Sequence, residues 1–251
     1  MQKLLLVASI LFLFLSYGNS QSPPLELEKF SIEDIKEDIN YWKALLEKRH
    51  PLLYYYTPKD SLDQQFDALL NSVNSPMTDL ELFHLMAPVA AFIRDGHNTF
   101  LPGMATINKI AEREDLLPFE VHFNGQELFL KYNLSKNDSL KDGLIITHIN
   151  KVKTEVITQQ IISALPRDGF NLQLPISALN NQFRFYYHVF FGFSETYEVK
   201  GLQEENSGTY LVEGCALDSI RQIRKERYPI PNGHKAISCH SIDSPNTAFL
   251  T

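Results

Sequence analysis

Three side chains able to hold or move a proton crowd around one glycine in Ile93-Arg94-Asp95-Gly96-His97-Asn98-Thr99. An imidazole has a near-neutral ordinary pKa and is suited to general-base work, and a neighbouring carboxylate can fix its tautomer. Asp95, His97 and Thr99 are the three groups with acid–base or hydrogen-bonding capacity. Gly96 fits the position after a helix end, where a left-handed residue reverses the chain and throws His97 clear of the helix. The same stretch also reads as a helix-stopping glycine followed by a surface histidine, and the residues alone leave both readings open.

The segments before this stretch read as helices. Ser31 is an N-cap with Asp34 three residues on, and Ile32, Ile35, Ile39, Trp42, Leu45 and Leu46 recur at helical spacing. That helix stops before His50-Pro51, because a residue preceding proline is pushed out of the α region. His50 reads as a helix-end residue favoured by the macrodipole. Leu52-Leu53-Tyr54-Tyr55-Tyr56 is expected to be extended, with Thr57 capping a second helix at Pro58. Thr78-Asp79-Leu80-Glu81 is a capping box for a third helix that contains Pro88 and ends at Asp95-Gly96.

After an expected loop over residues 101–115 the period changes from helical to alternating. Phe119, Val121 and Phe123 alternate with polar residues, Asn124-Gly125 turns the chain, and Leu128 and Leu130 alternate again. Lys141-Asp142-Gly143 turns into the apolar strand of residues 144–149, and a helix is expected over residues 154–165. Pro166-Arg167-Asp168-Gly169 is a turn. Residues 179–193 carry seven aromatics, read as packed core ahead of a ligand groove. Strands at 196–200 and 209–212 and a helix over residues 216–227 follow. Asn133-Leu134-Ser135 and Asn137-Asp138-Ser139 match the glycosylation pattern, read as chance. The last residues read as a turn entering an apolar strand without a partner, the expectation for a chain cut short.

Composition excludes several classes. With 44% hydrophobic and 21% charged residues the chain is globular, not disordered. Lys3, the apolar run of residues 4–15 and Gly18-Asn19-Ser20 predict a signal peptide over residues 1–20, and the run is too short for a stable membrane span. An exported protein, periplasmic or extracellular, is expected. Removing that segment leaves 22 basic and 30 acidic residues, a net charge of −8. No basic run interleaved with aromatics supports nucleic-acid binding. Cys215 and Cys239 fit one disulfide or two free thiols, and no metal-ligand spacing or cofactor motif is present.

His50-Pro51-Leu52-Leu53-Tyr54-Tyr55-Tyr56-Thr57-Pro58, Met77-Thr78-Asp79-Leu80-Glu81-Leu82, Ile93-Arg94-Asp95-Gly96-His97, Asp142-Gly143-Leu144-Ile145-Ile146-Thr147-His148-Ile149-Asn150 and Leu165-Pro166-Arg167-Asp168-Gly169 together resemble the amino-terminal half of C-terminal processing (tail-specific, tricorn-like) serine peptidases. The resemblance covers about residues 33–251 and is strongest to the exported bacterial branch. It implies an α+β chain: a helical subdomain over residues 21–110, a PDZ-like module with an aromatic helical insertion over 111–214, and over 215–251 a linker helix and the first strand of an α/β catalytic domain. It implies peptides or unfolded proteins as substrates, with His97 as the candidate catalytic base for a nucleophilic serine and Asp95 as its candidate supporting group, or a lysine outside this chain as the base. Phe119, Glu120 and Val121 would line a peptide groove. Four departures stand out: no Gly-x-Ser-x-Gly occurs, Asn98 replaces a usual threonine, Lys151 replaces a usual glycine, and Leu117-Pro118-Phe119-Glu120 replaces a glycine-rich carboxylate loop. The implied activity is serine endopeptidase, with these residues inactive alone; the alternative is a stand-alone exported peptide-binding module.

Overall fold

A computed structural model describes residues 22–203, 206–229, 239–241 and 248–250. The signal peptide expected over residues 1–20 lies outside them. The chain is mixed α+β, with seven helices and antiparallel sheets among the described residues. None of those helices is long and apolar enough to cross a membrane.

The amino-terminal layer holds α1 (Ile32–Arg49), α2 (Lys59–Ser72), α3 (Asp79–Phe92) and α4 (Met104–Ala111). Two predicted caps form: the Ser31 side chain accepts the Asp34 N–H, and Thr78 and Glu81 make the reciprocal capping box. A short pair, β1 (Lys29–Phe30) with β2 (Met77–Thr78), ties the entering chain to the start of α3. Ile35, Ile39, Leu62, Phe66, Leu69, Met86 and Ile93 bury into one cluster, supplied by α1, α2, α3 and the residue that ends α3.

Several local expectations fail for identifiable reasons. Residues 52–56 form turns, not an extended run. Thr57 does not cap α2; its buried hydroxyl donates to the Phe92 carbonyl (2.7 Å), fastening the tyrosine run to the end of α3. The expected loop over residues 101–115 contains α4, whose stripe of Thr106 and Ile110 is too short for periodicity to reveal. The left-handed residue ending α3 is Arg94 (φ 64°), and the glycines with positive φ do not include Gly96. The Arg94 N–H bonds the Ala91 carbonyl, and the chain reverses at Arg94, two residues before the glycine.

The second layer is a sheet in the order β3 (Phe119–Phe123), β4 (Leu128–Asn133), β5 (Ile145–Ile149), β7 (Thr196–Gln203), β8 (Asn206–Glu213), with β6 (Val152–Lys153) on β5. Asn150 and Lys151 both adopt positive φ, forming the two-residue turn between β5 and β6. Helices α5 (Thr154–Ser163) and α6 (Gln173–Phe191) pack on the sheet, and the aromatic segment is mostly core, with Phe183, Tyr186 and Tyr187 buried. A third cluster joins the layers: Phe83 and Ala87 of α3 meet Leu116, Leu134, Val189 and Ile220 of α7 (Leu217–Arg227).

Both glycosylation patterns serve as local turns. The Asn133 and Asn137 side-chain oxygens accept the backbone N–H of Ser135 and Ser139, and Asn133 is buried. Cys215 is a free thiol. The apolar terminal strand does find a partner: β10 (Ala248–Leu250) pairs antiparallel with β9 (Cys239–Ser241).

Candidate active site

The turn after α3 brings Asp95 and His97 together and adds a group that the sequence reading set aside. Asp95 Oδ1 accepts the backbone N–H of His97 (2.8 Å) and lies 3.3 Å from His97 Nδ1. Asp95 Oδ2 lies 2.7 Å from His50 Nε2. The Leu52 N–H donates to His50 Nδ1 (3.3 Å), so that nitrogen is the acceptor and the His50 proton sits on Nε2, donated to Asp95. His50 is therefore more than a helix-end residue. It sits at the C-cap of α1, where the Pro51 turn swings its ring across to α3.

Asp95 thus bridges two imidazoles. With His97 Nδ1–H directed at Oδ1, His97 Nε2 is left as a lone-pair acceptor, and the side chain is 97% exposed. The carboxyl of Asp95 is held below the usual carboxylate range chiefly by the His97 backbone N–H; burial opposes this, and the His50 and His97 rings each add a smaller lowering effect. Asp95 is consequently an anion able to hold His97 in one tautomer and to stabilise its protonated form.

A fourth residue comes from the second layer. Asp168 accepts the Gly96 N–H on Oδ1 (2.9 Å), and the Gly169 N–H donates to the Arg94 carbonyl (3.0 Å). Gly96 lets the two segments approach closely: a Cβ would stand 2.8 Å from Asp168 Oδ1 and 2.9 Å from Leu174 Cδ2, and those side-chain ends would have to move aside. Asp95, His97 and Asp168 place donor atoms within 4.8 Å of one another, a spacing compatible with a cation, although the sequence reading foresaw no metal. Beside them lies an aromatic shelf. Tyr56 packs edge-on to both Tyr55 (4.7 Å) and the exposed Phe170 (6.3 Å), and Arg94 stacks on Phe170 (4.0 Å).

The residues expected to hold a peptide stand elsewhere. Phe119 and Val121 are core residues, and Glu120 is the partly exposed member, 3.6 Å from Arg224 Nε. A hollow of about 270 Å³ opens between them, α4 and α6. The outer edge of β3, however, is already engaged. Asn180 accepts the Phe123 N–H (2.6 Å) and donates back to its carbonyl (3.1 Å). Arg184 donates to the Leu117 and Phe119 carbonyls, and His188 Nε2 accepts the Leu117 N–H (3.0 Å). An added peptide strand would have to displace these side chains to pair there. Their signal was the spacing of 180, 184 and 188, one face of a helix.

His188 is a neutral structural histidine. Its Nδ1–H donates to the Gly192 carbonyl (2.9 Å), and burial pulls its pKa down to about 4.

No protein-family model matches the chain. No curated protein matches it either. Matching solved structures include mature CPAF, at 10% identity over 72% of this chain and 34% of that one, TM-score 0.48. Mature CPAF complexed with lactacystin matches at 9% identity over the same shares, TM-score 0.49. The chain spans about a third of the length of these structures.

Proposed function

We propose that His50, Asp95 and His97 form the acid–base half of a serine-peptidase centre. On this reading these residues are the amino-terminal part of an exported endopeptidase resembling C-terminal processing peptidases. The observation that carries it is the bridging carboxylate: Asp95 joins two imidazoles and leaves His97 Nε2 free at the surface. In the reaction, Nε2 takes the proton of a serine hydroxyl as its oxygen attacks the peptide carbonyl, then returns it to the leaving amine. Asp95 orients the base, and His50 positions Asp95. The aromatic shelf of Tyr55, Tyr56 and Phe170 suits an unfolded polypeptide rich in apolar side chains.

Among the described residues no serine, threonine or cysteine side chain bonds the His97 ring. The nucleophile on this proposal lies outside residues 22–251, and these residues alone do not cleave peptides. The test is labelling with a serine-directed phosphonate together with hydrolysis of a reduced, unfolded polypeptide. The expected result is neither for the 251-residue chain. In a longer chain continuing from it, labelling of a serine beyond residue 251 that His97→Ala abolishes is expected. A labelled serine within residues 22–251 and accompanying turnover would overturn the proposal.

A further inference from the structure

Asp95 and Asp168 come from different layers, one from the turn after α3 and the other from the turn before α6, and they meet over Gly96. Each carboxylate is fixed by a backbone N–H, from His97 to Asp95 Oδ1 (2.8 Å) and from Gly96 to Asp168 Oδ1 (2.9 Å). Among the described residues neither lies within ion-pair distance of a lysine or arginine. The arginines beside them in sequence turn elsewhere: Arg94 stacks on Phe170 (4.0 Å), and Arg167 donates to the Ile162 carbonyl (2.8 Å). Two carboxylates converging within 4.8 Å repel one another, and the His97 imidazole completes the group. Asp95 Oδ1 and His97 Nδ1 stand 3.3 Å apart, long for a hydrogen bond. Two donors on a tetrahedral ion at about 2.0–2.1 Å take a separation of about 3.3 Å. Asp95 Oδ2 accepts the His50 Nε2–H (2.7 Å), the outer hydrogen bond that steadies a ligating carboxylate.

We infer that Asp95, His97 and Asp168 form a site for zinc or a similar divalent ion, held by Asp95 Oδ1, His97 Nδ1 and a carboxylate oxygen of Asp168, with water completing the tetrahedron. One imidazole nitrogen and two carboxylate oxygens suit zinc, whereas calcium takes about six to eight oxygens. Bound there, the ion ties the two layers together and leaves the His97 proton on Nε2. The site stands on these side chains alone; only its consequence, that the ion silences His97 as a base, rests on the role proposed above.

Calorimetric titration of the 251-residue chain with zinc chloride, repeated with calcium chloride, tests it. Saturation at one zinc per chain is expected, with calcium at least about tenfold weaker. His97→Ala and Asp168→Asn should each weaken zinc binding about tenfold or more. Both variants should fold, because the His97 side chain is 97% exposed and asparagine keeps an oxygen for the Gly96 N–H. Zinc at about a hundredfold above its Kd should raise the Tm of the wild type by about 5 °C or more, and that of Asp168→Asn by much less. Nitrogen-15 NMR of the zinc-loaded chain should find the His97 proton on Nε2. None of these readouts depends on peptide hydrolysis, which distinguishes failure here from failure of the peptidase reading. No saturation by zinc, equal affinity for calcium, wild-type affinity in either folded variant, or a zinc-loaded His97 protonated on Nδ1 would overturn the inference.

Discussion

Replacing Asp95 with asparagine probes the centre through its hydrogen-bond directions. Oδ1 serves two donors on His97, and Oδ2 serves the Nε2–H of His50. An asparagine that keeps its oxygen toward His97 must aim its amide N–H at His50 Nε2, where a proton already sits. His50 cannot shift that proton to Nδ1 without opposing the Leu52 N–H. The reversed amide loses both bonds to His97 instead. A hydrogen bond to a charged group contributes about 1.5–3 kcal/mol and a neutral one about 0.5–1.5. The Asp95 side chain is 30% exposed, which favours the low end. Losing the His50 bond and weakening the others comes to roughly 2 kcal/mol, or a fall of about 4–8 °C in Tm for a chain of this size. Urea and thermal unfolding of wild type, Asp95→Asn and Asp95→Ala give the comparison. Asp95→Asn should be at least as damaging as Asp95→Ala, because alanine leaves no opposed donors. Asp95→Asn within about 0.5 kcal/mol of wild type, with alanine clearly worse, would refute the bridging arrangement.

Two further outcomes follow from the same structure. His188 is neutral in the fold with a pKa of about 4 against an ordinary 6.5, so the unfolded chain binds its proton first as the pH falls. Its contribution is complete above about pH 6.5 and is lost down to about pH 4, close to 2 kcal/mol of it by pH 5. Urea unfolding across that window should show His188→Gln with a correspondingly shallower pH dependence, and equal slopes would contradict the assignment. Gly169 adopts φ +60°, and a Cβ there would stand 2.9 Å from the Tyr56 ring, so Gly169→Ala should cost about 1–2 kcal/mol and loosen the tyrosine run. Tyrosine fluorescence during urea unfolding reads both effects; a change under about 0.3 kcal/mol would count against that packing.

Much of the framework was legible because its signals are local. The Ser31 and Thr78 caps, the apolar stripes of α1 to α3 and the Asn124-Gly125 turn depend on residues within one helical turn or hairpin. What was missed depends on partners distant in sequence. Thr57 reads as a cap until the Phe92 carbonyl comes within reach of it. His50 is separated from Asp95 by 45 residues, and Asp168 from Gly96 by 72, so no spacing rule links them. Gly96 looked like a helix stop because glycine commonly ends helices. Its actual constraint is the Asp168 carboxylate standing over it, while Arg94 bears the left-handed conformation. Asp95 and His97 stood out by residue type around one glycine, and the structure adds what holds them. The polar stripe of Asn180, Arg184 and His188 was hidden among aromatics that dominated the reading of that helix.

The central claim is that Asp95 fixes both imidazoles so that His97 presents a free Nε2. Nitrogen-15 NMR of the imidazoles, at a pH where they are neutral, reads the tautomers directly. The account predicts His50 protonated on Nε2 and His97 protonated on Nδ1, with Asp95→Ala releasing His97 to a mixture. His97 carrying its proton on Nε2 in the wild type, unchanged by Asp95→Ala, would contradict it.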